Sequence, residues 1–349
     1  MSVDISLEKV SLARLEQLPI EHVLSSIDEG LTHLPSYREL YYRWERQQWS
    51  VQEIDFSPDR RQWVTMNEEK HCVYIYGLSS FFRGEECVTN ALAPYITAVP
   101  DDEMRIFLTT QLVDEARHTV FFEHFFREVI GIEQDKLEDV LVIVEKNIRA
   151  DLRFILVDAL GEVSDRIRRD PEHLPHLLEG VVLYHLMIEA MMALSGQKNL
   201  LDFYRKEEVF PSFRAGFTAV VRDESRHVLF GVKFLRDMIQ RDYANANVVY
   251  DAIQKYVPIT LSAISPVQEQ IPYSGVGRRS LGMATLWSLL ACQKAKSART
   301  EHTAANGPST SILSKREKEP VSMIVYIEEP SFREGSILEE RRRTRRGMI

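Results

Sequence analysis

Apolar residues recur at helical spacing through most of the 349-residue chain, and strand-like alternation is rare. The periodic stretches predict helices over roughly 73–98, 102–129, 134–167, 176–206, 211–242 and 246–266. Pro100 ahead of "DDEM", "RDPEHLP" at 169–175 and "VFPSF" at 209–213 separate them. Proline ends one element, and acids at the next first turn favour a helix start. Such segments far exceed the usual helix of about 12 residues. Long helices with short connections pack as an antiparallel bundle, so the expected class is all-α. The expected organisation is an N-terminal extension over 1–57, with aromatics crowded in "LYYRWERQQWS", a bundle domain over 58–293, and a polar tail over 294–349. The tail is rich in small and charged residues, as a mobile segment would be, and "VSMIVYIEEP" inside it could dock.

"DEARH" at 114–118 returns as "DESRH" at 223–227. A carboxylate and a histidine three positions apart lie on one helical face, so both can reach one metal ion. Glu115 with His118, and Glu224 with His227, have that spacing. Each pair has a further acid on a preceding helix. Glu85 sits in the apolar "FFRGEECVTN", and Glu189 is the lone acid of "YHLMIEAMMALSG". A glutamate in such company is not buried without a reason. The chain reads as a helix pair repeated, each half offering two carboxylates and one histidine. Four carboxylates and two divalent ions cancel in charge; without the ions the acids would crowd together and resist ionisation. Oxygen-rich ligands with one imidazole per ion suit iron or manganese. Asp114 and Asp223 precede the two glutamates, and each could accept a histidine N–H across the bundle. His185, four before Glu189, reads as a supporting or core histidine.

Charge and cysteine narrow the classes. The net charge is −9, and the last nine residues hold five arginines and no acid, which leaves −14 for the rest. An acidic body argues against nucleic acid as a partner. Cys72, Cys87 and Cys292 have no paired metal spacing, and the N-terminus has no basic start with an apolar core. A cytoplasmic setting follows as the expectation. The apolar runs 181–194 and 281–292 fall short of the roughly 18 residues that span a bilayer, so no membrane span is expected.

Over about residues 38–240 the chain resembles the small-subunit family of class I ribonucleotide reductase. The likeness lies in "WERQQWSVQEIDFS", "GEE" and "VVRDESRH". It implies a ferritin-like four-helix core with additional helices, a homodimer, and Trp49 and Asp223 near the metals. Phe122 stands four after His118, where radical-bearing members carry a tyrosine. Within the superfamily the chain is most similar to the ligand-binding oxidases. Their "GEEAVTE" parallels "GEECVTN", and their tyrosine-to-"LALTG" stretch parallels Tyr184 to "MALSG" here. This implies a manganese–iron or di-iron centre that activates dioxygen, a bound long-chain fatty-acid-like ligand, and an ether cross-link between Val88 and Tyr184. In an ideal helix Tyr184 and Glu189, five apart, are about 140° apart, so the place of Tyr184 near the metals rests on the resemblance. Ala193, small and four after Glu189, leaves room for a ligand cavity, to which Phe122 is also assigned. The rival readings are a tyrosine-radical-free reductase small subunit, with Tyr326 as the tail tyrosine of its radical path, an N-oxygenase or desaturase on the same scaffold, and an iron-storage shell.

Overall fold

The computed structural model describes residues 10–264 other than Asp135. The tail, Cys292 and Tyr326 lie outside the described residues. Fourteen α-helical segments carry the described chain, and no strand occurs among them. They are α1 Leu12–Gln17, α2 Ile20–Thr32, α3 Tyr37–Arg46, α4 Ser57–Trp63, α5 Glu68–Ala91, α6 Ala93–Ala98, α7 Asp102–Phe125, α8 Leu137–Glu145, α9 Ala150–Arg153, α10 Leu160–Arg169, α11 Leu174–Val181, α12 Leu194–Lys206, α13 Pro211–Arg241 and α14 Asn245–Ile264. Three π-helical stretches, Phe126–Ile130, Phe154–Ala159 and Val182–Ala193, continue or join them.

The expected long helices are present, with two interruptions. Pro94 has no N–H for the helical ladder, and the chain steps from α5 to α6 at Leu92. The stretch read as one helix over 134–167 turns at 146–149 between α8 and α9, where no glycine or proline marks the break. The starts are capped as the sequence suggests. The Asp101 side chain accepts from the Met104 amide at the head of α7, and Asn67 does the same for Lys70 at the head of α5. The head of α13 is capped from outside: buried Asp59 of α4 accepts from the amides of Ser212 and Phe213 at 3.0 and 2.7 Å. Burial there pushes the Asp59 carboxyl up to about 6, against those two bonds.

Four rods form the core: α5, α7, the continuous stretch Leu174–Lys206, and α13. The stretch 174–206 is long and apolar enough to cross a membrane by length and composition, longer than the apolar run 181–194 alone suggests. However, 78% of its most apolar window is buried inside the bundle. Its apolar character is that of a core helix, since α13 and α14 pack along its centre. The N-terminal segment packs directly on the bundle, α1 and α2 along α13 and α3 across α7 and α13. That packing brings Trp49 to the middle of the rods.

Candidate metal centre

Each core rod delivers one part of the site. Glu85 comes from α5, Glu115 and His118 from α7, Glu189 from the π-helical stretch, and Glu224 and His227 from α13. All six are buried. They form two overlapping groups whose ligand atoms lie within 4.8 Å of one another: Glu85, Glu115, His118 and Glu224, and Glu115, Glu189, Glu224 and His227. Glu115 and Glu224 belong to both. His118 Nδ1 faces oxygens of Glu85, Glu115 and Glu224 at 3.2, 3.5 and 3.5 Å. His227 Nδ1 faces Glu224, Glu115 and Glu189 at 3.2, 3.3 and 3.5 Å. Glu86, next to Glu85, turns away and pairs with Arg83.

The electrostatics call for positive charge. Burial pushes Glu85 up to about 8, against the pull of His118. Burial also holds Glu189 well above the usual carboxylate range and raises Glu224. At Glu115 burial pushes the same way, but the attraction of His227 and His118 overcomes it and the carboxyl lies below its ordinary value. Burial alone would lower both imidazoles; the acids around them, Glu85 first for His118 and Glu115 first for His227, hold both well above the ordinary histidine value. At this depth Glu85, Glu189 and Glu224 draw protons that a metal cation would replace. Glu115 Oε2 and Glu189 Oε2 are buried without a hydrogen-bond partner. Orphaned carboxylate oxygens converging with two imidazoles make a donor set that fits two hard divalent ions.

The histidines are oriented crosswise. His118 Nε2 lies 3.2 Å from Asp223 Oδ2, and His227 Nε2 lies 3.3 Å from Asp114 Oδ2. A carboxylate accepts, so a hydrogen sits on Nε2, and loss of the second proton would free each Nδ1 lone pair for a metal ion. Trp49 Nε1–H donates to Asp223 at 2.8 Å. Arg226, fully buried, donates to both aspartates at 2.8 and 2.6 Å; Arg226 and its repeat partner Arg117 hold Asp223 ionised against its burial. Gln111 is a further contributor that pattern reading missed. Its Nε2–H donates to Glu189 at 2.8 Å and to Glu115 at 3.3 Å, while its Oε1 lies 3.2 Å from His185 Nε2. Its signal was present: it stands four before Glu115 on the same face of α7.

Tyr184 stands against the cluster. Its hydroxyl donates to Glu115 Oε1 at 3.0 Å and lies 3.5 Å from the Val88 carbonyl oxygen. Burial, then the charge of Glu115, holds the phenol well above its ordinary value. Bonding between residues five apart in the π-helical stretch returns the chain to nearly the same face after five residues. Tyr184 and Glu189 therefore both point at Glu115, which an ideal α-helix would not allow. Ala193 lines an apolar cavity of about 110 Å³ together with Phe81, Ile188, Met192 and Leu156. Phe122 does not line it. Its ring lies behind that of Phe81, parallel at 6.3 Å, and packs into a cluster with Phe82, Phe213 and Phe217.

A ferritin-like helical bundle with a paired carboxylate–histidine cluster defines the class. The sequence profile of the ribonucleotide reductase small chain matches residues 32–271, and the chain belongs to that family, whose members are oxidoreductases with dinuclear metal centres. Among solved structures it is similar to a variant of R2-like ligand-binding oxidase with an anaerobically reconstituted Mn/Fe cofactor. The identity is 23% and the TM-score 0.60, over 66% of this chain and 83% of that one. A variant of the same oxidase with the cofactor reconstituted aerobically matches at 22% and 0.62, over 77% and 88%. A third, reconstituted anaerobically, matches at 22% and 0.61, over 77% and 86%. At these identities the likeness establishes the fold.

Proposed function

We propose that the chain is a dioxygen-activating oxidase. It holds manganese and iron, or two irons, on Glu85, Glu115, His118, Glu189, Glu224 and His227. It binds a long-chain fatty-acid-like ligand, and its Val88 and Tyr184 become joined by an ether bond. The observation that carries this reading is the meeting of two buried ligand groups at Glu115 and Glu224, with the Tyr184 hydroxyl 3.0 Å from Glu115 and beside Val88.

When bound, the metal pair supplies the redox chemistry that reduces dioxygen. The chain's own residues prepare the reaction. Glu115 accepts the Tyr184 O–H, which fixes the phenol oxygen and offers a base for its proton. Burial keeps that proton in place until electrons also leave. The ether forms a bond from a Val88 side-chain carbon to Tyr184 Oη and breaks one C–H and one O–H. Two protons and two electrons pass to dioxygen. Apolar side chains line the cavity, Ile188, Met192 and Ala193 of the stretch that carries Glu189 among them, and the small Ala193 side chain leaves it room. We assign the ligand's hydrocarbon chain to this cavity. A homodimer and a cytoplasmic setting complete the reading.

Intact-mass measurement before and after aerobic loading with both metals tests it. The expected result is two metals per chain and loss of the mass of two hydrogens, abolished in Tyr184→Phe. Fewer than two metals overturns the centre; no mass loss, or one that persists in Tyr184→Phe, overturns the cross-link. One observation favours a reductase small subunit instead, the Trp49–Asp223–His118 chain leading outward from the cluster. Deoxynucleotide formation with a large subunit would establish that role.

A further inference from the structure

The aspartate–histidine pairs behind the cluster are duplicated, and so is what holds them. In "WERQQW" two tryptophans stand five residues apart. Trp49 Nε1–H donates to Asp223 Oδ2 at 2.8 Å, and Asp223 meets His118. Trp44, near the end of α3, donates from Nε1 to Asp114 Oδ1 at 3.0 Å, and Asp114 meets His227 through its other oxygen. The residues between the tryptophans complete the pattern. Gln47 accepts from Arg226, and Gln48 accepts from Arg117 at 3.1 Å. Each arginine reaches both aspartates. Arg226 Nη2 lies 2.8 and 2.6 Å from Asp114 and Asp223, and Arg117 Nη1 lies 3.2 and 3.4 Å from the same two. Two acids and two guanidinium groups thus make a neutral, largely buried square behind the two imidazoles. The arginines are common to both halves; each tryptophan serves one half only.

We propose that Trp44 is a positioning residue for the His227 half of the metal centre, acting through Asp114 as Trp49 acts through Asp223. The inference rests on the metal centre proposed above. A carboxylate whose two oxygens are held from different directions cannot swing about its axis. The ring N–H it accepts then fixes both the tautomer and the tilt of the imidazole. Trp44 provides the hold on Asp114 Oδ1 opposite His227. Its own ring is steadied by Tyr41, centroid to centroid at 5.9 Å. Without the indole N–H, Asp114 Oδ1 keeps only the longer contact with Arg117, and the carboxylate can turn toward it, leaving His227 free to tilt. Asp223 keeps Trp49, both arginines and His118, so the other half stays set. Loss of such an outer partner costs about 10–100-fold in metal affinity. Here the loss is expected at one of two positions that lie side by side and share two ligands.

The test is position-specific occupancy. Crystals of the full-length wild type, Trp44→Phe and Trp49→Phe are equilibrated with graded Mn(II), and anomalous density at the manganese edge is integrated at each position. Trp44→Phe is expected to need about 10–100-fold more Mn(II) to fill the Glu115–Glu189–Glu224–His227 position, with the His118 position unchanged, and Trp49→Phe to do the reverse. Trp44→His, which keeps a ring N–H, is expected to restore filling toward the wild-type level. Equal weakening at both positions, or none, in a Trp44→Phe protein with unchanged Tm overturns the proposal. Trp44→Met repeats the comparison should the phenylalanine variant not fold. Absence of manganese from both positions in the wild type would instead refute the metal centre on which the inference rests.

Discussion

At the scale of single residues, the cluster behaves as a set of acids waiting for cations. Glu85 is pushed up to about 8, chiefly by burial. A carboxyl raised above its ordinary 4.5 contributes stability that is present below that value and lost as pH rises through the folded one. The metal-free chain is therefore expected to lose stability between pH about 4.5 and 8, and metal binding to reverse the loss. Metal binding must also displace the protons on Glu85, His118 and His227, so affinity rises with pH over the same window. Calorimetric titration with Mn(II) in two buffers of different ionisation enthalpy measures the released protons; affinity independent of pH would refute the assignment. Gln111 gives a second residue-scale expectation. Gln111→Leu removes the amide that donates to Glu189 and the oxygen that faces His185 Nε2, at a cost of about 1–3 kcal/mol in urea unfolding of the metal-free chain. An unchanged unfolding midpoint would remove Gln111 from the site. The six clustered side chains were legible because an acid in an apolar stretch is costly to bury without a cation, and because E-x-x-H occurs twice. Gln111 and Arg226 were not, since glutamine and arginine on a helix usually face water. Only the arginine shared by "DEARH" and "DESRH" hinted that Arg226 does not.

At the scale of elements, the π-helical stretch Val182–Ala193 decides what the cluster can touch. Helix periodicity along 176–206 is clear in the sequence, but the bonding register inside it is not. Apolar residues on all sides of a core helix leave no amphipathic stripe from which to count. The angle of Tyr184 was accordingly misjudged by spacing, while the helix itself was read correctly. The N-terminal segment was obscure for the opposite reason: its three helices are short, and packing on α13 and α7 rather than local pattern holds them. The stretch 182–193 reaches the site because α13 comes close to it at Gly231. A Cβ on Gly231 would stand 2.3 Å from His185 Cβ, a backbone-anchored atom that cannot swing away. Gly231→Ala is therefore expected to push the two elements apart, destabilising the chain by about 1–3 kcal/mol in urea unfolding and loosening the His185–Gln111 contact. A variant as stable as the wild type, with metal content unchanged, would show that the two elements can separate without cost.

At the scale of the whole molecule, the same helix that carries Glu115 and His118 shows an apolar outer face. Ile106, Val113 and Val120 of α7 are 51%, 47% and 40% exposed. Seven residues is close to two helical turns, so the three lie in one line along the rod. Aligned aliphatic side chains left in water cost free energy that a second surface can recover. Members of the family are typically dimeric, and a self-complementary stripe on a straight helix suits a two-fold contact in which each copy offers the same face. The wild-type chain is expected to have twice its 40.5 kDa mass in light scattering after size exclusion. Val113→Asp puts a charge at the middle of the line and is expected to give monomers. Metal content should survive, because α7 turns its ligands to the opposite, buried side. A monomeric wild type would refute the dimer, whereas a dimer that persists in Val113→Asp would place the contact on another face and leave the line of α7 unexplained.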